Sequence, residues 1–200
     1  SGIKYIILVV NPEGAETIPP LEGEPKPKIV IQEEAVGMAD GLLKAKEHLH
    51  EDFLLLNGYH LDIDEFAKTM IAKKKKADGV ILATQRPNPW EFGVLEINGD
   101  KVKGLEEKPA KGSQKSNLCV VGAYLLSKDF LTFLEKFRPS HYQLEEALDR
   151  YCREKNVLIE VTPKPAVSLK YPWDLLKLKD YLLERLPAKI SKNAKTINLC

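Results

Sequence analysis

The apolar positions of this chain fall into short runs separated by stretches with helical spacing. Residues 3–10 (IKYIILVV) form a run rich in β-branched side chains that closes at Asn11-Pro12-Glu13-Gly14. Such a run fits a strand buried on both faces, as in a parallel sheet. Residues 11–28 hold five prolines and read as a loop. Short apolar runs at 29–31, 53–56, 79–84, 117–126 and 157–161 predict further strands. Residues 93–97 and 101–105 flank Asn98-Gly99-Asp100, a strong hairpin turn. Residues 37–50 carry Leu42, Leu43, Ala45, Lys46 and Leu49 near a 3.6-residue period and predict a helix. A second helix is expected over 64–76, with Asp64 at its N-cap and Lys73 to Lys76 as a solvated last turn. Helices follow at 128–137, 144–155 and 173–186, the last ended by Pro187.

Strands and helices alternate over most of the length. The expected fold class is therefore α/β with a mostly parallel sheet and an antiparallel insertion around residues 92–126. The segment 187–200 breaks the alternation. Residues 190–196 are spaced as in one hexapeptide turn of a left-handed β-helix, and a frayed tail is the alternative.

Composition narrows the function classes. The chain is 44% hydrophobic and 30% charged, a globular balance. Thirty basic and 29 acidic residues give a net charge of +1, so no basic field marks a nucleic-acid binder. No apolar run reaches the roughly 18 residues of a membrane-spanning helix, and no signal peptide opens the chain. Three cysteines without a C-x-x-C (Cys119, Cys152 and Cys200) suggest reduced thiols and a cytoplasmic location. The chain opens Ser1-Gly2 rather than with methionine, which leaves open whether it is a whole natural product.

Ligand sites of open α/β sheets lie at the carboxyl ends of the strands. After 53–56 comes Asn57-Gly58-Tyr59-His60-Leu61-Asp62-Ile63-Asp64. Its aspartates suit a metal, and equally a turn and a helix cap. After the hairpin comes Leu105-Glu106-Glu107-Lys108-Pro109. A carboxylate beside a lysine can hold sugar hydroxyls and a phosphate together, and can equally be a surface charge cluster. The chain has no G-x-S-x-G elbow, Walker loop, G-x-G-x-x-G or HExxH.

Six stretches, in order, resemble the sugar-1-phosphate nucleotidyltransferases (NDP-sugar pyrophosphorylases). They are Gln32 to Asp40 (QEEAVGMAD), Phe53 to Gly58 (FLLLNG), Phe92-Gly93-Val94, Leu105 to Pro109 (LEEKP), Ser116-Asn117 to Gly122, and Tyr171 to Leu176 (YPWDLL). The resemblance implies a doubly wound α/β domain over 1–186, with 187–200 as a tail. It implies attack of a sugar 1-phosphate oxygen on the α-phosphate of a nucleoside triphosphate. Gln32 and Gly37 would face the base, Gly93, Glu107 and Asn117 the sugar, and Lys108 the sugar phosphate.

The chain departs from that family in four places. The usual first strand and glycine-rich phosphate loop are missing. The two metal aspartates fall on Tyr59 and Ser168, and Met38 replaces a threonine near the base. A phenol is a poor ligand for a hard cation that prefers carboxylate oxygen. The expectation is a sugar-phosphate or sugar-nucleotide binding domain, catalytically impaired and regulatory, as a silent partner of an active paralogue. No cofactor is expected, with Mg²⁺ only if the chain is active. The rivals are an active nucleotidyltransferase whose phosphate loop comes from another segment, and a scaffold or oligomerisation module. The absent strand lies mid-sheet in the family, so another chain, another segment or a rearranged sheet is expected to fill the gap.

Overall fold

The computed structural model describes residues 4–19, 25–34, 36–163 and 167–193. Its strands are β1 (Ile7–Val10), β2 (Lys28–Ile31), β3 (Phe53–Leu56), β4 (Gly79–Gln85), β5 (Gly93–Asn98), β6 (Lys101–Glu107), β7 (Leu118–Leu126) and β8 (Val157–Val161). Its helices are α1 (Pro12–Thr17), α2 (Met38–Lys44), α3 (Ile63–Lys74), α4 (Asp129–Leu134), α5 (Gln143–Glu154) and α6 (Asp174–Asn193).

Six strands form one sheet in the order β3–β7–β4–β8–β6–β5. Strand β4 pairs parallel with β8, while β7 pairs antiparallel with both β3 and β4. Strand β6 runs antiparallel to β8 and β5. So β3, β4, β5 and β8 share one direction, and β6 and β7 oppose them.

Period-two alternation divides the core between the two faces of this sheet. Val80 and Leu82 of β4, with Val121, Ala123 and Leu125 of β7, pack on Phe66 and Met70 of α3. Ile81 and Ala83, with Tyr124 and Leu126, turn to the other face and meet α2, α4 and α5. Helix α5 buries Leu144, Ala147, Leu148, Tyr151 and Cys152, an i, i+3, i+4, i+7, i+8 stripe. The Tyr151 ring stands edge-on to Phe130 at 5.1 Å, and its hydroxyl donates to Asp129 Oδ1 at 2.9 Å.

The first two strands stand apart. Strand β1 pairs parallel with β2 alone, Ile7 opposite Lys28 and Val10 opposite Ile31. Strand β3 ends the six-stranded sheet and pairs only with β7. Both strands are wholly apolar (ILVV and FLLL), yet each is bare along one edge among the described residues. An ion pair from Lys4 to Glu51 (3.4 Å) brings the starts of β1 and β3 to the same end of the molecule. Among the described residues these two edges belong to separate sheets.

Four expectations need correction. The proline-rich stretch after β1 contains helix α1. Asn11 caps it by accepting the Gly14 N–H at 2.8 Å, and Pro12 sits in the first turn, where its missing donor costs nothing. The helix over 37–50 breaks into α2 and a single 3₁₀ turn at Lys46–His48. The cap position of α3 is Asp62, so Asp64 lies inside the first turn. Helix α6 runs through Pro187 to Asn193, so 190–193 are helical and not a β-helix turn. A proline forfeits one helical bond, and the neighbours Glu184, Arg185, Leu186 and Ala188 are strong helix formers that carry the backbone onward. The rest of the tail, 194–200, lies outside the described residues.

Candidate functional site

The site grows from an irregularity in β7. Opposite β4, Ile81 pairs with Tyr124 and Ala83 with Val120, so β7 uses four residues where β4 uses two. The excess bulges at Gly122, whose φ of +88° suits a residue without Cβ. On its other edge, β7 pairs with β3 from Ala123 onward and with β5 only at Cys119. The opening between β3 and β5 is where the candidate residues gather.

Asn57, just past β3, donates its backbone N–H to the Gly122 carbonyl at 3.0 Å. Its side-chain amide donates to the Tyr59 hydroxyl at 2.7 Å. A Cβ on Gly122 would lie 2.3 Å from that amide nitrogen and 3.3 Å from His60 Nε2. Across the opening, a Cβ on Gly93 would come within 2.8 Å of Glu107 Oε2. At Gly122 the positive φ adds to this close approach, whereas at Gly93 the Glu107 side chain would have to shift.

Burial raises the Glu107 carboxyl above its ordinary range, against the pull of Lys108 and Lys170. Burial also raises Glu145, at the start of α5, and Glu107 adds to that shift. The Tyr124 phenol is pushed up by burial and by both carboxylates. Tyr124 is buried, and the two half-buried carboxylates act on it and on each other electrostatically. A carboxyl whose folded pKa is raised contributes stability below its ordinary pKa of 4.5 and loses it as pH rises through the folded value. Glu145→Gln is therefore expected to be more stable than the parent at pH 7.5 and nearly equal to it at pH 4. Thermal melts at the two pH values check this, and an equal effect at both would contradict it.

The backbone of Lys108 is held at φ +46°, with its N–H on the Phe92 carbonyl at 3.1 Å. For a non-glycine residue this costs on the order of 1 kcal/mol. It turns the residue after Glu107 out of the β6 ladder.

Residues 167–171 close the other side. Val167 donates its N–H to Asp62 Oδ2 at 2.7 Å, Leu169 to the Tyr59 carbonyl at 2.8 Å, and Ser168 bridges to His60. Asp174, at the start of α6, accepts the N–H groups of Lys170 (3.1 Å) and Tyr171 (2.9 Å). The Lys170 ammonium then lies 5.7 Å from the Tyr59 ring centre and 5.6 Å from that of Tyr171.

At the two positions that the family resemblance assigns to metal aspartates, the donors are poor ones for a magnesium ion. Tyr59 and Ser168 offer a phenol and a hydroxyl. The alternative aspartates serve the fold, since Asp62 holds Val167 and Asp64 pairs with Arg185 at 2.9 Å. Among the described residues no three of His, Cys, Asp and Glu come together to hold a metal. Cys119 and Cys152 are free and buried, and burial pushes the Cys119 thiol up to about 11.

Of the residues singled out by sequence, Gly93, Glu107 and Lys108 come together. Asn117 is exposed just before β7, its carbonyl accepting the Arg86 N–H. Gln32 and Gly37 form a separate cluster. The Gln32 amide donates to the Gly37 carbonyl (3.0 Å) and to Asp40 Oδ2 (2.8 Å). Gly37 packs on the His141 backbone, where a Cβ would meet the carbonyl at 3.3 Å. Asn57 lies in the stretch singled out after the third strand, whereas Tyr124, Glu145 and Lys170 are additions from the structure. Lys170 flanks a quoted motif, whereas Tyr124 and Glu145 leave no signal, lying in an ordinary strand and an ordinary amphipathic helix.

Residues 1–176 match the family model described as nucleotidyl transferase. The bifunctional protein GlmU of Methanococcus maripaludis is 30% identical over 200 residues, covering 94% of this chain and 46% of that protein. GlmU of Methanococcus vannielii is 31% identical over 209 residues, covering 96% and 47%. This chain therefore spans about half the length of the curated relatives it matches. Among solved structures, a putative glucose-1-phosphate thymidylyltransferase from Bacillus anthracis, in complex with a sucrose, superposes with a TM-score of 0.70 at 18% identity. That match covers 99% of this chain and 79% of that one. A UDP-glucose pyrophosphorylase complexed with UDP-glucose gives 0.64 at 15% identity, covering 80% and 66%. At such identities the likeness establishes the shared fold.

Proposed function

This chain belongs to the nucleotidyl transferase family, and from that premise we propose that it binds a sugar phosphate or sugar nucleotide without transferring a nucleotidyl group on its own. The carrying observation is the donor set at the site. Glu107 and Lys108 remain at the pocket, while Tyr59 and Ser168 stand where the family resemblance places metal carboxylates. The Tyr59 phenol is already engaged by Asn57. A carboxylate beside an ammonium can accept sugar hydroxyls and attract a phosphate. Nucleotidyl transfer further requires neutralising a triphosphate, which these residues cannot do with a magnesium ion. The role that follows is regulatory, as a cytoplasmic binding unit beside an active partner.

The bare edges of β1 and β3 favour a second element in this reading. Two apolar strands with neither proline, charge nor bulge on their open edges are poorly protected against pairing. Another chain or segment completing the sheet there would bring the two sheets into one. If that element carried a phosphate-binding loop, transfer would depend on it.

Incubation with a panel of sugar 1-phosphates, nucleoside triphosphates and Mg²⁺ tests the proposal. No pyrophosphate is expected above background, together with calorimetric binding of a sugar phosphate or UDP-glucose. Clear pyrophosphate release from this chain alone would sink it. Absence of any affinity would leave a scaffold role instead. Among the described residues no helix is long and apolar enough to cross a membrane.

A further inference from the structure

We propose that Lys170 supplies the cation for a phosphate group in this pocket, so that phosphate binding here needs no divalent metal. The inference deepens the sugar-phosphate reading and rests on it for the identity of the ligand, though not for the anion site itself.

Three observations carry it. First, Lys170 is fixed in place by its backbone. Its N–H and that of Tyr171 both bond to Asp174 Oδ2, and Asp174 is buried. The preceding residues are bonded to Tyr59, Leu61 and Asp62, so the segment cannot drift from the pocket. Second, its ammonium is aimed at the site. It lies over the Tyr59 ring, and Tyr59 is the residue hydrogen-bonded to Asn57 beside Gly122. It also acts electrostatically on Glu107. Third, the Lys170 side chain is exposed and free of an ion pair. Among the described residues neither Lys170 nor Lys108 forms an ion pair. Eight of the described lysines do, among them Lys46, Lys73 and Lys74, and the other described lysines are likewise free of ion pairs.

Lys108 and Lys170 both act on Glu107, and both side chains are exposed, so an anion can reach them from solvent. Burial raises the Glu107 carboxyl in spite of both lysines. A phosphate fits this arrangement, since an ammonium is a compact charge with three donors. The metal alternative fails on chemistry, because Tyr59 and Ser168 present no carboxylate. Lys170 lies two residues beyond Ser168, on the same clamped segment, and brings the positive charge without a ligand set. The aromatic faces of Tyr59 and Tyr171 hold the cation without neutralising it.

Calorimetric titration of the whole chain with inorganic pyrophosphate and with glucose 1-phosphate, first in EDTA and then in Mg²⁺, tests this. Both ligands are expected to bind in EDTA, with Kd changing less than twofold on adding Mg²⁺. Lys170→Met keeps the length and removes the charge. It should weaken both ligands by roughly tenfold or more, the scale of a charged hydrogen bond. Lys170→Arg should recover most of that loss, and the affinity for unphosphorylated glucose should not change in either variant. A merely structural role for Lys170 would lower all three ligands together. Equal binding by Lys170→Met and the parent overturns the inference, as does a strict need for Mg²⁺. If glucose 1-phosphate binds only with Mg²⁺, Lys170 loses its role and the sugar-phosphate reading survives. If pyrophosphate alone binds and Lys170→Met weakens it, the anion site stands and the sugar reading falls. If neither ligand binds under any condition, both fall.

Discussion

Gly122→Val is expected to lower stability by on the order of 3 kcal/mol, combining strain at positive φ with overpacking. Any Cβ at 122 would sit 2.3 Å from the Asn57 amide, on a backbone with φ of +88°. A β-branched side chain cannot adopt that conformation cheaply. The backbone must therefore leave the bulge, or Asn57 must leave Tyr59. Either movement dismantles the opening between β3 and β5. The urea midpoint should drop with little change in slope, and UDP-glucose affinity should vanish with it. Gly58→Ala is the control. A Cβ there meets nothing within 4 Å, and its effect should stay within about 0.5 kcal/mol. A Gly122→Val protein as stable as its parent would mean that β7 follows a regular ladder at this point.

The second large effect concerns the divided sheet. Amide exchange should be slower at Val80, Ile81 and Leu82 than at Leu8, Val9 and Val10 by about a thousandfold or more. Strand β4 lies between β7 and β8, and Val80, Ile81 and Leu82 are fully buried. Opening it requires near-global unfolding. Strand β1 has one partner over four residues, and a two-stranded pair is marginal in water. Its support is limited to neighbours such as Gly41 of α2, which approaches Val9. Equal protection of the two strands in dilute monomeric protein would show that β1 already has a second partner. A rise in β1 and β3 protection on adding a companion chain would identify what completes the sheet.

Much of this fold is legible along the chain because periodicity is a local property. The run FLLL at 53–56 is a strand to the residue, and the Asn98-Gly99 turn sets its hairpin. The 3.6-residue stripe of α5 is visible before any contact is known. Helix α1 escaped notice because proline counts suggested a loop, whereas Asn11 and Pro12 together are a helix start. The end of α6 was misplaced for the converse reason, a single proline weighed above its helix-forming neighbours.

The candidate site divides the same way. Gly93, Glu107 and Lys108 lie within motifs and could be named in advance. Tyr124, Glu145 and Lys170 could not, because each reaches the pocket through a different element. The bulge at Gly122 depends on β7 pairing with three strands at once. The sequence by itself determined the order of elements and the apolar faces. Tertiary structure alone decided that β1 and β2 form a sheet apart from the six-stranded one, and that Lys170 comes near enough to act on Glu107. Strand pairing and charge convergence join residues far apart in the chain, and no local period encodes them.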